Sequence, residues 1–244
     1  MRRHIFIPQK ISSTIPVISG YSFYVDSANT SSYPGSGTVW TDLSGSGVTV
    51  TLVGSPTFNP TDAGGSLEFN GINQYGTFGY NSIFNLSGSS GYVMETWVKL
   101  NSFSNAIPFS MGLYGSTFDW GYIFSTSTSY TMYSDGTAQS VAVSLGTPLN
   151  SGQWYHLVAT GDSTSTTYIY VNGVLVASGS LTISNSSSSY PSPVGEVGGY
   201  GPNVILTPYS SINGGIGIAR LYQFNLTATQ VLQNFNADKT RFGY

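Results

Sequence analysis

Between residues 153 and 176 the chain alternates in a way that dictates β-structure. Gln153-Trp154-Tyr155-His156-Leu157-Val158-Ala159 is followed by the polar Asp162-Ser163-Thr164-Ser165, and then by Tyr168-Ile169-Tyr170-Val171-Asn172-Gly173-Val174-Leu175-Val176. Aromatic and β-branched residues suit a pleated, half-buried surface, and Asn-Gly between two apolar runs suits the positive φ angles of a type I′ turn. The pattern predicts three antiparallel strands joined by two tight turns, with Trp154 and His156 buried. Similar runs predict strands at Tyr21–Asp26, Val48–Val53, Gly91–Leu100, Ala106–Leu113, Asp119–Ser125, Tyr130–Tyr133, Gln139–Val143, Val194–Gly198, Val204–Leu206 and Gly214–Tyr222. That spacing is the signature of a multi-stranded sandwich. One segment breaks it: Thr227-Ala228-Thr229-Gln230 is a capping-box sequence, and Val231, Leu232 and Phe235 follow at helical spacing, predicting a short helix over 227–237.

Residues 1–19 follow neither period. Ile5, Phe6, Ile7, Ile11, Ile15, Val17 and Ile18 are interrupted by Pro8 and Pro16, so the stretch reads as an extended arm ahead of a domain over 20–244. Its apolar side chains need cover. Two covers fit: the arm lies along its own sandwich, or it pairs with a neighbouring subunit or larger assembly, with Arg2, Arg3, Ile5, Phe6, Ile7 and Lys10 as the anchoring residues.

Composition sharpens this picture. The 244 residues include 30 Gly, 18 Tyr and 13 Phe, and only 7% are charged. Aromatic content at this level argues for a folded chain rather than a disordered one. Formal net charge is −3, but residues 11–238 hold only Lys99 and Arg220 against ten acids, a formal −8. Such a body does not attract nucleic-acid phosphates or anionic lipids. There is no cysteine, so folding rests on packing and suits a reducing cytosol. The basic start lacks the apolar run of a signal sequence, and no stretch approaches the roughly 18 apolar residues of a membrane-spanning helix.

Several blocks carry a family resemblance. The Trp-x-His-Leu-Val-Ala run, its polar turn and Tyr-x-Tyr-Val-Asn-Gly resemble the central hairpins of laminin-G-like, concanavalin A-like jelly-roll domains. The opening, Asp26 through Trp40-Thr41-Asp42-Leu43-Ser44-Gly45, is similar to such domains in tailed-phage virion proteins. So are Gly65-Ser66-Leu67-Glu68-Phe69-Asn70-Gly71-Ile72-Asn73-Gln74-Tyr75 and the strand ending Trp97-Val98-Lys99. The close, Gly214 to Tyr222 and then Asn234-Phe235-Asn236-Ala237 and Arg241-Phe242-Gly243, matches the same group. The resemblance covers residues 20–244 and implies an all-β jelly-roll sandwich with one C-terminal helix. It further implies a structural protein on the virion surface, made in the host cytoplasm, in a capsid decoration or tail fibre. Its partners would be other virion proteins and copies of itself. The alternative it implies is an adhesin that binds host-surface glycan.

No cofactor is expected. Some relatives bind calcium near the Asn70–Gln74 turn, where Asp26, Asp42 and Glu68 would be available, but Asn70 and Gln74 stand where Asp is usual, and lost carboxylates weaken such a site. Asn amides stabilising a tight turn are the alternative. No metal ligands are assigned. Glycosidic cleavage needs paired carboxyl groups, and Glu68, Glu95 and Glu196 are widely separated. His4 and His156 are the only histidines, and His156 is expected as a hydrogen-bonded core imidazole rather than a base. Catalytic residues are therefore assigned to none, and the chain is expected not to be an enzyme. For ligand binding, aromatic faces beside neutral hydrogen-bonding groups point to Asp119, Trp120, Tyr122, Tyr200 and Asn203. The competing reading places Trp120 and Tyr122 in the core.

Overall fold

A computed structural model describes residues 17–79, 81–84, 90–111, 120–134, 139–161, 166–181, 195–199 and 211–244. In chain order the strands are β1 (Phe23–Asp26), β2 (Val39–Thr41), β3 (Thr49–Val53), β4 (Thr57–Asn59), β5 (Ser66–Asn70), β6 (Tyr75–Phe78), β7 (Tyr92–Leu100) and β8 (Phe109–Met111). They continue as β9 (Trp120–Thr126), β10 (Ser129–Ser134), β11 (Gln139–Ser144), β12 (Trp154–Gly161), β13 (Thr166–Val171), β14 (Val174–Ser180), β15 (Gly195–Val197) and β16 (Asn213–Tyr222). A single 3-10 turn spans Ser82–Phe84, and helix α1 runs from Ala228 to Asp238.

All pairings are antiparallel. One sheet has the order β14-β13-β12-β7-β16-β5-β4, with β1 also paired to β16, and the other has β11-β10-β9-β8-β15-β6-β3-β2. Their inner faces interlock through Phe23, Leu67, Met94, Val98, Leu157 and Ile169 of the first sheet and Trp40, Val50, Phe78, Phe109, Phe124 and Tyr130 of the second. This is the expected all-β jelly-roll sandwich with one short C-terminal helix.

The predicted three-stranded meander is present as β12, β13 and β14. Asn172 and Gly173 carry φ of 51° and 77°, both positive as a type I′ turn demands. Trp154 is 6% exposed and His156 is fully buried. The turn at 162–165 lies outside the described residues, as does the strand predicted at Val204–Leu206.

The outer face of the first sheet is also covered, because α1 and the tail lie across it. Trp97 of β7 stacks on Phe242 with ring centroids 4.1 Å apart, and Phe235 of α1 lies 5.7 Å away. Gly217 makes this possible. It sits at a register irregularity in β16, and a Cβ there would meet the Phe242 ring at 2.6 Å. The capping box at Thr227 and Gln230 is formed in both directions.

Ile18 packs against Val93, Tyr170, Tyr222 and Val231, its N–H donates to Asn234 Oδ1 at 2.8 Å, and its carbonyl accepts from the Tyr222 hydroxyl at 3.1 Å. Residues 17–19, expected in the arm, thus adjoin the domain's own body. Arg2, Arg3, Ile5, Phe6, Ile7 and Lys10 lie outside the described residues.

Candidate functional site

Strand alternation places every second residue of β12 and β13 on the outer face, so Thr160 stands opposite Tyr168 and Val158 opposite Tyr170. The connection from β16 to α1 crosses this face and is fixed there, its Leu226 N–H donating to Thr160 Oγ1 at 2.8 Å. Between the connection and the strands lies a groove of about 380 Å³, lined by Thr166, Tyr168, Tyr170, Asn225 and Thr227 among others. Tyr168 is 42% exposed and offers an open ring. Asn225 is exposed, and its amide has no hydrogen-bond partner among the described residues. Burial, and then the neighbouring Tyr168, raise the Tyr170 phenol above its ordinary pKa, which already keeps it a protonated donor at neutral pH.

Among the described residues no charged side chain lines this groove. An aromatic face, an amide with two donors and an acceptor, and hydroxyl groups suit a ligand with apolar C–H faces and vicinal hydroxyls. Among the described lining residues nothing pairs a nucleophile with a base.

Of the sequence-predicted ligand residues, Trp120 and Tyr122 fall within the described strands. Asp119, Tyr200 and Asn203 lie outside the described residues, and Trp120 opens β9. Tyr122 requires a correction: it is fully buried, and its hydroxyl donates to the Met94 carbonyl at 2.7 Å. It fills the core, as the competing reading held, and presents no face to a ligand. The signal that could have found the groove was Tyr168 and Tyr170 at alternate positions on one strand. Their partner Asn225, however, comes from 55 residues beyond Tyr170, and only the topology brings it alongside.

Among the described residues, two clusters of charged side chains tie elements together. In the first, buried Glu95 of β7 accepts from Arg220 Nη1 at 2.6 Å and from Asn234 Nδ2 at 2.8 Å, and lies 3.1 Å from His156 Nε2. Arg220 Nη1 also donates to Asp238 Oδ2 at 2.8 Å, tying α1 to the sheet. Burial alone would raise the Glu95 pKa, but the Arg220 charge, His156 and Asn234 outweigh it and bring it down to about 2. His156 is thus a core imidazole held by a carboxylate, with Nδ1 buried and unpartnered.

In the second cluster Lys99 donates to both Asp62 and Glu68, while Trp154 Nε1 donates to Asp62 Oδ1 at 2.9 Å. Partial burial would raise the Asp62 pKa, but the Lys99 and Trp154 hydrogen bonds lower it. Two carboxylates clamped by one ammonium do not form an acid and nucleophile pair. Glu196 stands opposite Thr77 and Ser110 in the second sheet, with no carboxylate beside it in that row.

No group of three or more metal-ligating side chains occurs among the described residues. Asp42 accepts from the Tyr24 N–H and from Ser44 and Ser46, and Asp26 accepts from the Arg241 guanidinium. Asn70 Oδ1 accepts from the N–H groups of Ile72 and Asn73, the turn-stabilising role expected of it.

Comparison with known proteins places the chain. A Laminin G 3 family model, described as the concanavalin A-like lectin/glucanases superfamily, matches residues 69–232, and the chain belongs to that superfamily. A search of curated proteins finds no match. Among solved structures, a Trypanosoma rangeli sialidase in complex with 2,3-difluorosialic acid superposes with a TM-score of 0.65 at 16% identity, covering 98% of this chain and 36% of the sialidase. Domain 4 of AbnA, a GH43 extracellular arabinanase from Geobacillus stearothermophilus in complex with arabinotriose, gives 0.64 at 16%, covering 88% of this chain and 99% of that domain. The botulinum neurotoxin type G receptor binding domain gives 0.59 at 16%, covering 89% of this chain and 51% of that one. The chain therefore spans about a third of the sialidase and half of the toxin domain. At these identities the likeness concerns the fold.

Proposed function

We propose that this member of the concanavalin A-like lectin/glucanase superfamily is a non-enzymatic carbohydrate-binding protein, an adhesin for surface glycans. The observation that carries the reading is the groove in which Tyr168 offers a ring face beside the neutral Asn225, Thr166 and Thr227. A pyranose laid on the ring covers apolar surface on both partners, and the amide and hydroxyls replace water at the sugar's edge. Two relatives of the fold are described with glycans, one in complex with arabinotriose and one entering cells through interaction with two ganglioside molecules, which supports the ligand class. The non-catalytic part is supported by the carboxylate arrangement, since Asp62 and Glu68 are tied to Lys99 and Glu95 to Arg220. A glycan array with the purified chain tests the reading. Selective, saturable binding of a sugar class without its turnover is expected, and an array without binding or a cleaved ligand overturns it.

A second reading concerns where the protein works: as a structural component of a tailed-phage virion, in a capsid decoration or tail fibre. The opening Trp40-Thr41-Asp42-Leu43-Ser44-Gly45 and closing Asn234-Phe235-Asn236-Ala237 blocks favour it, together with the apolar, basic segment before the domain. Anchored by residues 1–16 to other virion proteins, the sandwich would present its groove to the host surface. Mass spectrometry of purified particles tests this reading, and absence of the chain from them contradicts it.

A further inference from the structure

The two flanks of the sandwich end differently. On one side the sheets close with β4 and β2, three residues each. On the other they close with β14 and β11, seven and six residues long, packed together so that a Cβ on Gly179 would meet Val141 Cγ2 at 3.0 Å. Short strands, charges and prolines are the usual devices that keep a sheet edge from pairing with another chain. β14 has neither charge nor proline, and none of the described residues from 139 to 181 is Asp, Glu, Lys or Arg. Asp162, in the connection from β12 to β13, lies outside the described residues. A bulge leaves Val176 out of register with β13, Ala177–Ser180 pair with β13 on one side, and among the described residues no strand pairs with the other edge of β14. Before the bulge, Val174 is 63% exposed and Leu175 50%. Leu232 of α1, 45% exposed, closes over the Gly173 turn beside them.

We infer that this edge receives the N-terminal arm, residues 1–16, of a second copy of the chain. The inference rests on the assembly reading of the arm and is independent of glycan binding. Four observations select that occupant. Ile18, at the start of the described residues, lies on the outer face of the sheet that β14 edges, its N–H donating to Asn234 of α1. Sixteen residues can span roughly 55 Å when extended, enough to reach a neighbouring molecule. The segment is apolar at Ile5, Phe6 and Ile7, matching Val174, Leu175 and Leu232, and its extended form can add a strand at Ala177–Ser180. Finally, Arg2, Arg3 and Lys10 oppose a body over 17–244 of formal charge −6, ten acids against Lys99, Arg220, Lys239 and Arg241, so arm and body attract while bodies alone repel.

The test uses the full chain and two variants, Phe6→Asp, which spoils the arm, and Leu175→Glu, which spoils the edge, with Leu232→Glu as a second edge variant. Sedimentation over a hundredfold concentration range reads association. The wild type is expected to associate and each variant to remain a monomer. An equal mixture of Phe6→Asp and Leu175→Glu is expected to regain a dimer, because each supplies the half the other lacks. A wild type that stays monomeric at all concentrations, variants that associate like wild type, or a mixture that fails to recover overturns the inference. If Phe6→Asp loses incorporation into particles while Leu175→Glu still self-associates, the edge is wrong and the anchoring role stands. Glycan binding unchanged in all variants keeps the two proposals separate.

Discussion

Trp154 shows how one side chain can serve two environments. Its ring packs beside Phe242 at 5.0 Å while its Nε1 donates to Asp62, so the indole is both core and clamp. Trp154→Ala is expected to lower stability by about 3–5 kcal/mol, the usual range for deleting a large buried aromatic, and a denaturant titration showing less than about 1 kcal/mol would mean the ring is not core. Glu95 gives a pH-dependent case. Its folded pKa of about 2 lies below the ordinary 4.5, so its contribution is complete above about 4.5 and is lost as pH falls through about 2. Glu95→Gln is expected to cost about 3–5 kcal/mol near neutrality, because Arg220 is left buried without its carboxylate. It should also flatten the fall in stability between pH 4.5 and 2. Equal acid slopes for both proteins in melts across that window would remove Glu95 as the cause.

At the scale of elements, the helix cap and the hairpin turn are local devices. Thr227→Ala removes the acceptor for the Gln230 N–H and should cost about 1 kcal/mol. Because the cap also borders the groove, ligand affinity and melting should change together in that variant. A change in neither would contradict both roles. These elements were legible in the sequence because their signals are local: Asn172-Gly173 between apolar runs, and Thr227 three residues before Gln230. Strands β2 and β4 were not, since three residues carry too little alternation to stand out. The charge clusters were out of reach for another reason. Glu95 and Arg220 are 125 residues apart, and only the pairing of β7 with β16 sets them opposite each other. A hint was present in that the body holds just two cations, each of which proves to be committed to carboxylates.

For the whole molecule, the same alternation that specified a sandwich also decides which tyrosines are available to a ligand. Tyr122 looked available because it neighbours predicted turns, yet strand parity turns it into the core, whereas Tyr168 faces out beside a connection that folds back from the other end of the chain. The central claim is that this groove holds sugar through the Tyr168 ring. Its most direct measurement is a calorimetric titration of array-selected saccharides into wild type and Tyr168→Ala, with melting temperature recorded for both. Saturable binding that weakens at least about tenfold in the variant, a loss of about 1.4 kcal/mol, at unchanged melting temperature is the predicted result. Equal affinity in the two proteins would contradict it and place the sugar elsewhere on the molecule.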